Sequence, residues 1–223
     1  MPPPANGIIS LTSDFGTRDS YLGAMKGAAL AVNPEAVLVD LCHQIDPGDL
    51  EAASMILAEA STPFPAGTVH LCVVDPSVGT GRRALAIQAG DCYFIGPDNG
   101  VFTDVIRGRG LRDAVVLTNS EHYRGSVSST FHGRDIFAPV AAVLSAGGAL
   151  KDLGEPINDP VLLEIPEAQR SDSGIDGHVR RIDRFGNLIT DIPAAMLADA
   201  GQLGEIHIHV KGHTINGLTD CYM

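Results

Sequence analysis

Residues 7–16 read GIISLTSDFG, an apolar run that stops at small polar residues, an acid and a glycine. The run 7–12 is predicted to be a buried β-strand, and the apolar spacing of Leu22, Met25 and Leu30 predicts a helix over 20–32. Strand-loop-helix units of this kind continue to about residue 153. They indicate an α/β fold with a largely parallel sheet.

Further elements follow from the same patterns. Strands are expected at 36–41, 68–74, 85–88 and 92–95, and helices at 50–60, 101–107 and 138–145. The apolar run 36–41 is typical of a second buried strand. These elements are expected to form an α/β domain over residues 1–154.

The composition changes after Gly154, where three prolines frame a charged, turn-rich stretch. We expect a linker over 155–173 and a smaller, mostly β C-terminal domain over 174–223, with strands at 177–182, 188–190 and 205–210. About 50 residues bury a poor core alone. The second domain is therefore expected to be incomplete.

The chain has 223 residues, of which 44% are hydrophobic, enough for a sizeable core. Fifteen basic and 27 acidic residues give a net charge of −12, which disfavours nucleic acid as a partner. No leader-like segment or bilayer-length apolar stretch is visible, so a cytoplasmic protein without membrane contact is expected. The four cysteines form no Cys-x-x-Cys pair, so neither a disulfide framework nor a metal site is expected.

Asp14 follows the first strand, at the edge where open α/β sheets bind ligands. A carboxylate there can accept two hydrogen bonds from the vicinal diol of a ribose. Alternatively, Asp14 caps a local turn.

A second loop, residues 73–83, reads VVDPSVGTGRR. It lacks the Lys-Ser/Thr of a phosphate-binding P-loop, but its spacing allows Asp75 and Arg82 to form an ion pair beside a ligand. The alternative is an ordinary turn at Asp75 and a solvated Arg82. The loop GPDNG at 96–100 is better explained as a turn.

Two further segments carry candidate side chains. His132, between an aromatic residue and a glycine, is the best-placed general acid or base, although most histidines are not catalytic. His207 and His209 share a strand face without a third ligand and are expected at the surface. Residues 182–191, IDRFGNLITD, combine a carboxylate, a ring and an amide that could hold an ammonium and a base, or form a plain hairpin.

Taken together, these segments resemble the S-adenosyl-L-methionine (SAM) hydroxide adenosyltransferases, the family that also contains fluorinating and chlorinating enzymes. The resemblance rests on SDFG at 13–16, VDP at 74–76, PDNG at 97–100, FHGRD at 131–135 and FGNL at 185–188. It implies an α/β domain followed by a smaller β domain, and a homotrimer with active sites between neighbouring subunits. It also implies hydrolysis of SAM to adenosine and methionine without a cofactor.

The resemblance implies roles for individual residues. The group acting on the attacking water comprises Asp75, Arg82 and His132. The substrate-binding group comprises Asp14 on the ribose, Asp183 on the methionine ammonium, and Phe185 and Asn187 around the adenine.

Two features differ from the family pattern. Ser77 stands where the family usually has glycine, and the family's last strands have no counterpart before Met223. Two rival functions remain: a non-catalytic SAM- or adenosine-binding protein, which the short C-terminus favours, and a SAM-dependent halogenase, which Asp75, Arg82 and His132 disfavour.

Overall fold

A computed structural model describes residues 3–172, 174–197 and 206–219. The chain divides into two compact units, one through Glu164 and the other from Ile165 onward. The division falls inside the segment 155–173 that the sequence assigns to a linker. The two units are described separately.

The first unit is built on one seven-stranded sheet with the order β2-β1-β3-β5-β4-β6-β7. Its strands are β1 (Ile8–Ser13), β2 (Val37–Cys42), β3 (Val69–Val73), β4 (Ala84–Ala89), β5 (Cys92–Pro97), β6 (Leu111–Leu117) and β7 (Gly154–Pro156). Its α-helices are α1 (Tyr21–Val32), α2 (Leu50–Ala60), α3 (Thr103–Arg109) and α4 (Ala138–Ser145). Short 3₁₀ turns lie at Ser120–His122 and Leu150–Asp152.

The strand directions confirm a largely parallel sheet. The pairs β1–β2, β1–β3 and β3–β5 are parallel. Strand β4 is antiparallel to both β5 and β6, so β6 runs in the common direction and only β4 and β7 oppose it. Because β2 and β3 lie on opposite sides of β1, the chain reverses its direction across the sheet there. Such a switch point opens a crevice at the carboxyl ends of the strands.

Helices cover both faces of the sheet. Alternate strand residues such as Leu11 and Leu71 pack with α1 and α4, whereas Cys72 and Phe94 pack with α2 and α3. This alternation follows from the period of two in a strand. Every residue of β3, β4 and β5 is buried, which explains their mainly apolar sequences, interrupted by the buried polar residues His70 and Gln88.

The expectation that the second strand is buried is wrong. Strand β2 is an edge strand, and Val37 is 56% exposed. Its sequence resembles that of a central strand because parallel strands are apolar on both faces, and strand order is not encoded in that local pattern. The local sequence patterns predict neither β6 nor β7.

Helix α4 begins after a single π-helical turn, Gly133–Phe137. The sequence predicted only a polar turn before this helix. The π-turn contains a wider backbone ring than an α-turn, and such turns occur often at functional sites. The residues of this turn follow His132 directly.

The second unit consists of short antiparallel hairpins. They pair β8 (Gln169–Ser171) with β9 (Gly174–Asp176), β10 (Val179–Ile182) with β11 (Leu188–Thr190), and β12 (His207–Val210) with β13 (His213–Asn216). A four-residue helix, α5 (Ala194–Leu197), follows β11. Strand β8 begins within the segment predicted as a linker. Among the described residues, no helix combines the length and apolarity needed to cross a bilayer.

Candidate active site

A small cavity lies at the carboxyl ends of β1 and β3, where the strand order reverses. Its lining consists of Asp14, Phe15, Val73, Asp75, Val78, Thr130, Phe131, His132 and Gly133. Its volume of about 50 Å³ can hold a few water molecules but not a whole nucleoside. The first unit therefore contains a water-sized cavity with both polar and apolar walls at the carboxyl ends of the strands, where the sequence predicts a ligand site.

The structure joins Asp75, Arg82 and His132 into one hydrogen-bonded set. Arg82 Nε donates to both carboxylate oxygens of Asp75 at 3.0 Å, and Arg82 Nη2 makes a further short contact to Asp75 Oδ2. The same Nη2 lies 2.9 Å from His132 Nδ1. The side chains of Arg82 and Asp75 are only 8% and 5% exposed. The alternative prediction that Arg82 is a solvated charge is therefore wrong.

The contact with Arg82 fixes the protonation of the His132 ring. A guanidinium can only donate, so Nδ1 of His132 must accept, and the neutral ring carries its proton on Nε2. Burial lowers the pKa of His132, the positive charge of Arg82 lowers it further, and Asp75 and Asp135 partly oppose them. At neutral pH, His132 is therefore a neutral ring whose remaining polar group is an N–H donor.

Asp14 is held by a distant backbone group, not by its own turn. The N–H of Gly48 donates to Asp14 Oδ2 at 3.0 Å. Within the described part of the chain, Oδ1 of Asp14 has no hydrogen-bond donor, and the residue lines the cavity. This geometry leaves one carboxylate oxygen available to a ligand.

Two loops meet closely at the cavity. A Cβ on Gly79, whose φ is +78°, would lie 2.2 Å from the carbonyl oxygen of Ser129. Only glycine permits this approach, which sets the Asp75 loop against the segment before His132. Phe15, Tyr21 and Phe131 form an aromatic cluster beside it, with ring centroids 5.6 to 6.1 Å apart.

Sequence reasoning missed the contribution of Asp135. This carboxylate is fully buried and accepts from Arg134 Nε at 2.7 Å, Arg134 Nη2 at 2.8 Å and the Ser128 N–H at 2.9 Å. Asp135 thus fixes the loop that precedes His132. The available signal was the position of this acid directly before the apolar run IFAP at 136–139, where the helix begins.

The sequence marks Ser77 as a departure from the family pattern and predicts no role for it. Its hydroxyl donates to Asp75 Oδ1 at 3.3 Å. It thus adds a donor to a carboxylate that Arg82 already contacts.

The loop 96–100 supports the site without lining the cavity. Asp98 accepts from Arg83 Nε at 2.6 Å, and Asn99 Nδ2 donates to the carbonyl of Val74 at 2.9 Å. The second bond holds the residue directly before Asp75. The adjacent arginines therefore diverge, since Arg82 turns into the site and Arg83 pairs with Asp98.

The remaining predicted residues belong to the second unit. Asp183 Oδ1 accepts from the backbone N–H groups of Phe185 at 2.8 Å and Asn187 at 2.9 Å, and Oδ2 accepts from Asn187 Nδ2 at 2.7 Å. These bonds form a tight hairpin turn, and the one from the Asn187 side chain does most to lower the pKa of Asp183. Phe185 is 89% exposed. The turn thus contains a solvent-exposed Phe185 ring and an ionised Asp183 carboxylate.

The histidines of β12 lie at the surface. His207 Nδ1 is 2.8 Å from Asn216 Oδ1, and His209 Nδ1 is 3.0 Å from Thr214 Oγ1. In the described ranges, no group of three or more His, Cys, Asp or Glu side chains could hold a metal ion.

Comparison with known proteins identifies relatives along most of the chain. One, from Salinispora tropica, is named (R)-S-adenosyl-L-methionine hydrolase and is 42% identical over 183 residues, which are 81% of this chain and 70% of the relative. Another of that name, from Methanocaldococcus jannaschii, is 37% identical over 83% of this chain and 66% of its own length. A fluorinase from an Actinoplanes species is more distant, with 29% identity over 90% of this chain and 76% of that enzyme.

Structures and domain families agree with these relatives. The crystal structure of an uncharacterized conserved protein from Thermotoga maritima matches with a TM-score of 0.92 and 33% identity, covering 96% of this chain and 83% of that one. The SAM hydroxide adenosyltransferase N-terminal domain matches residues 9–154, and the C-terminal domain of the same family matches residues 177–223. The resemblance found in the sequence is confirmed, and the chain belongs to the SAM hydroxide adenosyltransferase family.

Proposed function

We propose that this protein hydrolyses SAM to adenosine and L-methionine by attack of water or hydroxide on C5′ of the ribose. The observation that carries the proposal is the hydrogen-bonded set of Asp75, Arg82 and His132 beside a water-sized cavity that Asp14 also lines. The names of the relatives that are 37% and 42% identical support the same reaction.

The chemistry suits this set of residues. In the reaction, the oxygen–C5′ bond forms as the C5′–sulfur bond breaks, and the sulfonium leaves as the neutral thioether of methionine. When water is the nucleophile, its surplus proton is released to solvent; when hydroxide attacks, no proton is released at this step. No general acid is needed, because the leaving group requires no proton. The enzyme has to orient the attacking oxygen and stabilise its negative charge. A metal or an organic cofactor has no necessary step in this reaction.

Each member of the set has a distinct role in the proposal. Arg82 supplies positive charge to a water or hydroxide, and His132 donates to the same oxygen through its Nε2–H. Asp75 balances the charge of Arg82 and fixes the orientation of its guanidinium. Since the Nδ1 lone pair of His132 is used by Arg82, the neutral ring binds hydroxide better than it generates it.

The substrate is held by other groups in this proposal. Asp14 Oδ1 accepts from the ribose diol, Asp183 pairs with the methionine ammonium, and Phe185 and Asn187 contact the adenine. The 89% exposure of the Phe185 ring supports a stacking role, since a flat ring open to solvent can cover a base. We further propose a homotrimer in the cytoplasm, with active sites between neighbouring subunits and SAM as the small-molecule partner.

The test is to incubate the purified protein with SAM and to quantify adenosine and methionine by chromatography. We expect equal amounts of both products, and a large loss of rate in His132→Ala with little change in the affinity for adenosine. Calorimetric binding of SAM without release of adenosine would instead identify a binding protein. Formation of 5′-chloroadenosine in chloride buffer would identify a halogenase. Unchanged turnover in His132→Ala would contradict the assigned role.

A further inference from the structure

A buried serine–histidine pair lies directly beneath the Asp14 turn. Ser13 Oγ is 2.7 Å from His43 Nδ1, and both residues are buried. The backbone carbonyl of His43 accepts from the N–H of Gly16 at 2.7 Å. One residue, His43, thus contacts the turn on both sides of Asp14.

The chain of contacts continues to the surface. His43 Nε2 lies 3.2 Å from Asp40 Oδ1, and Asp40 Oδ2 lies 2.7 Å from Lys26 Nζ on α1. Burial raises the pKa of Asp40, but the hydrogen bonds from Lys26 and His43 outweigh it and hold that pKa below its usual value. Burial lowers the pKa of His43, with Asp40 opposing it. At neutral pH, Asp40 is therefore an ionised carboxylate and His43 a neutral ring.

These charge states give the hydrogen bonds one direction. An ionised Asp40 can only accept, so Nε2 of His43 carries the ring proton and Nδ1 is an acceptor. The Ser13 hydroxyl must then donate to Nδ1. Its oxygen keeps a lone pair, toward which the N–H of Phe15 points over a long 3.4 Å.

The same three groups form the nucleophile, the base and the orienting carboxylate of many hydrolases, but that role does not fit here. Ser13 is fully buried, and it is Asp14, not Ser13, that lines the cavity. A nucleophile must reach its substrate, whereas a buried serine can only orient the backbone around it. The location of these hydrogen bonds beneath the Asp14 turn therefore indicates that they position the turn.

We propose that Asp40, acting through His43 and Ser13, is a positioning residue that fixes the Asp14 carboxylate for its ligand. The identification of that ligand as the ribose diol rests on the proposed function. The assignment predicts that a substitution at the surface changes recognition of one pair of hydroxyl groups in the active site.

The first test uses Asp40→Asn, a substitution of a side chain that is 44% exposed. An asparagine amide can donate to Nε2 of His43, which allows the ring proton to move to Nδ1 and removes the acceptor of the Ser13 hydroxyl. Nitrogen-15 NMR of the histidine rings, with His43 assigned from its loss in His43→Gln, reads the tautomer without any ligand. We expect Nε2–H in the wild type and a changed ring signal in Asp40→Asn.

The second test measures discrimination between two nucleosides by calorimetry. The ratio of the Kd of 2′-deoxyadenosine to that of adenosine reports the diol contact alone, because the base is unchanged. We expect this ratio to fall about five- to tenfold in Asp40→Asn and in Ser13→Ala, about the effect of one lost hydrogen bond. In turnover, KM for SAM should rise by a similar factor while kcat changes less than about threefold. General loosening of the fold would weaken both nucleosides equally.

Strand β1 supplies a matched control. Ser10 Oγ is 2.6 Å from His70 Nδ1, so a second buried pair of the same kind lies on the opposite face of the same strand, with the His70 ring stacked on Phe94. The pairs differ at the other ring nitrogen, since His43 Nε2 contacts Asp40 whereas His70 Nε2 has no partner among the described residues. Ser10→Ala and Ser13→Ala each remove one buried hydroxyl from a serine–histidine pair and should lower Tm comparably. Only Ser13→Ala should reduce the nucleoside ratio.

Three outcomes would overturn the inference: an Nδ1–H tautomer of His43 in the wild type, an unchanged nucleoside ratio in both Asp40→Asn and Ser13→Ala, or an equal fall in Ser10→Ala. Failure of the proposed function is distinguishable. In that case the wild type releases no adenosine from SAM, while the tautomer of His43 and the Kd ratio of the two nucleosides are still measured. A wild type that binds neither nucleoside would refute the assignment of the ribose to Asp14, and with it the inference.

Discussion

Replacement of Asp75 by asparagine tests the buried charge set most severely. The substitution keeps the shape of the side chain but removes the negative charge that faces Arg82, whose side chain is only 8% exposed. Neutralising one partner of a buried pair costs about 3–5 kcal/mol, and we expect the lower end because the asparagine oxygen can still accept one bond. For a chain of this length, about 3 kcal/mol corresponds to a fall in Tm of roughly 6–12 °C.

The effect on turnover should be larger than the effect on folding. Without the carboxylate of Asp75, the guanidinium of Arg82 is no longer held opposite Nδ1 of His132. The positive charge of Arg82 and the Nε2–H donor of His132 then lose their orientation toward the attacking oxygen. Loss of one preorganised electrostatic group commonly lowers kcat by about 100- to 1000-fold. The assays are release of adenosine from SAM at saturation, and thermal unfolding of the same preparation.

The neighbouring pair provides the control. Asp98 is as deeply buried as Asp75 and pairs with Arg83, but it does not line the cavity and Arg83 is 33% exposed. Asp98→Asn should lower Tm by less than Asp75→Asn and change kcat by less than about threefold. Wild-type kcat in Asp75→Asn, or equal losses of kcat in the two variants, would refute the reasoning.

Three further predictions address other parts of the site. Because burial and the charge of Arg82 lower the pKa of His132 below its usual 6.5, the ring is neutral at neutral pH and becomes charged only at lower pH. The acid limb of the kcat/KM profile should therefore be centred below pH 6.5, and a limb centred above pH 6.5 would contradict this. Gly79→Ala places a side chain at a φ of +78° and 2.2 Å from the Ser129 carbonyl oxygen. The backbone strain alone costs about 1–3 kcal/mol, so the free energy of unfolding measured in denaturant should fall by at least that amount. An unchanged unfolding midpoint would disprove the close approach. Phe185→Ala should leave Tm unchanged, since the ring is 89% exposed. It should weaken adenosine binding about tenfold or more, as measured by calorimetry. Wild-type affinity for adenosine would show that Phe185 does not contact the adenine.

Local sequence patterns predicted the elements of the first unit well. Helix α2 occupies the predicted range 50–60, and Asp49 caps it by accepting from the Ala52 N–H at 2.9 Å. Such features depend on neighbours in the chain. The exposure of Val37 depends on which strand lies beside β2, and no local pattern contains that information.

The same distinction applies to the site. Asp14, Asp75 and His132 could be selected because each lies near the carboxyl end of a strand or the start of a helix, where ligands bind. The relay from Asp40 to Ser13 could not be predicted, because its groups come from two strands and only the pairing of the folded sheet brings them together. The tautomer of His132 likewise required the contact with Arg82 to be seen.

The fate of the water oxygen tests the proposed attack most directly. SAM should be hydrolysed in water enriched in oxygen-18, and the products should be analysed by mass spectrometry. Attack at C5′ places one oxygen-18 on the 5′-hydroxyl of adenosine and none in methionine, and the rate of labelling should fall with kcat in Asp75→Asn. Methylthioadenosine with labelled homoserine, or adenosine that carries no label, would contradict attack by water at C5′.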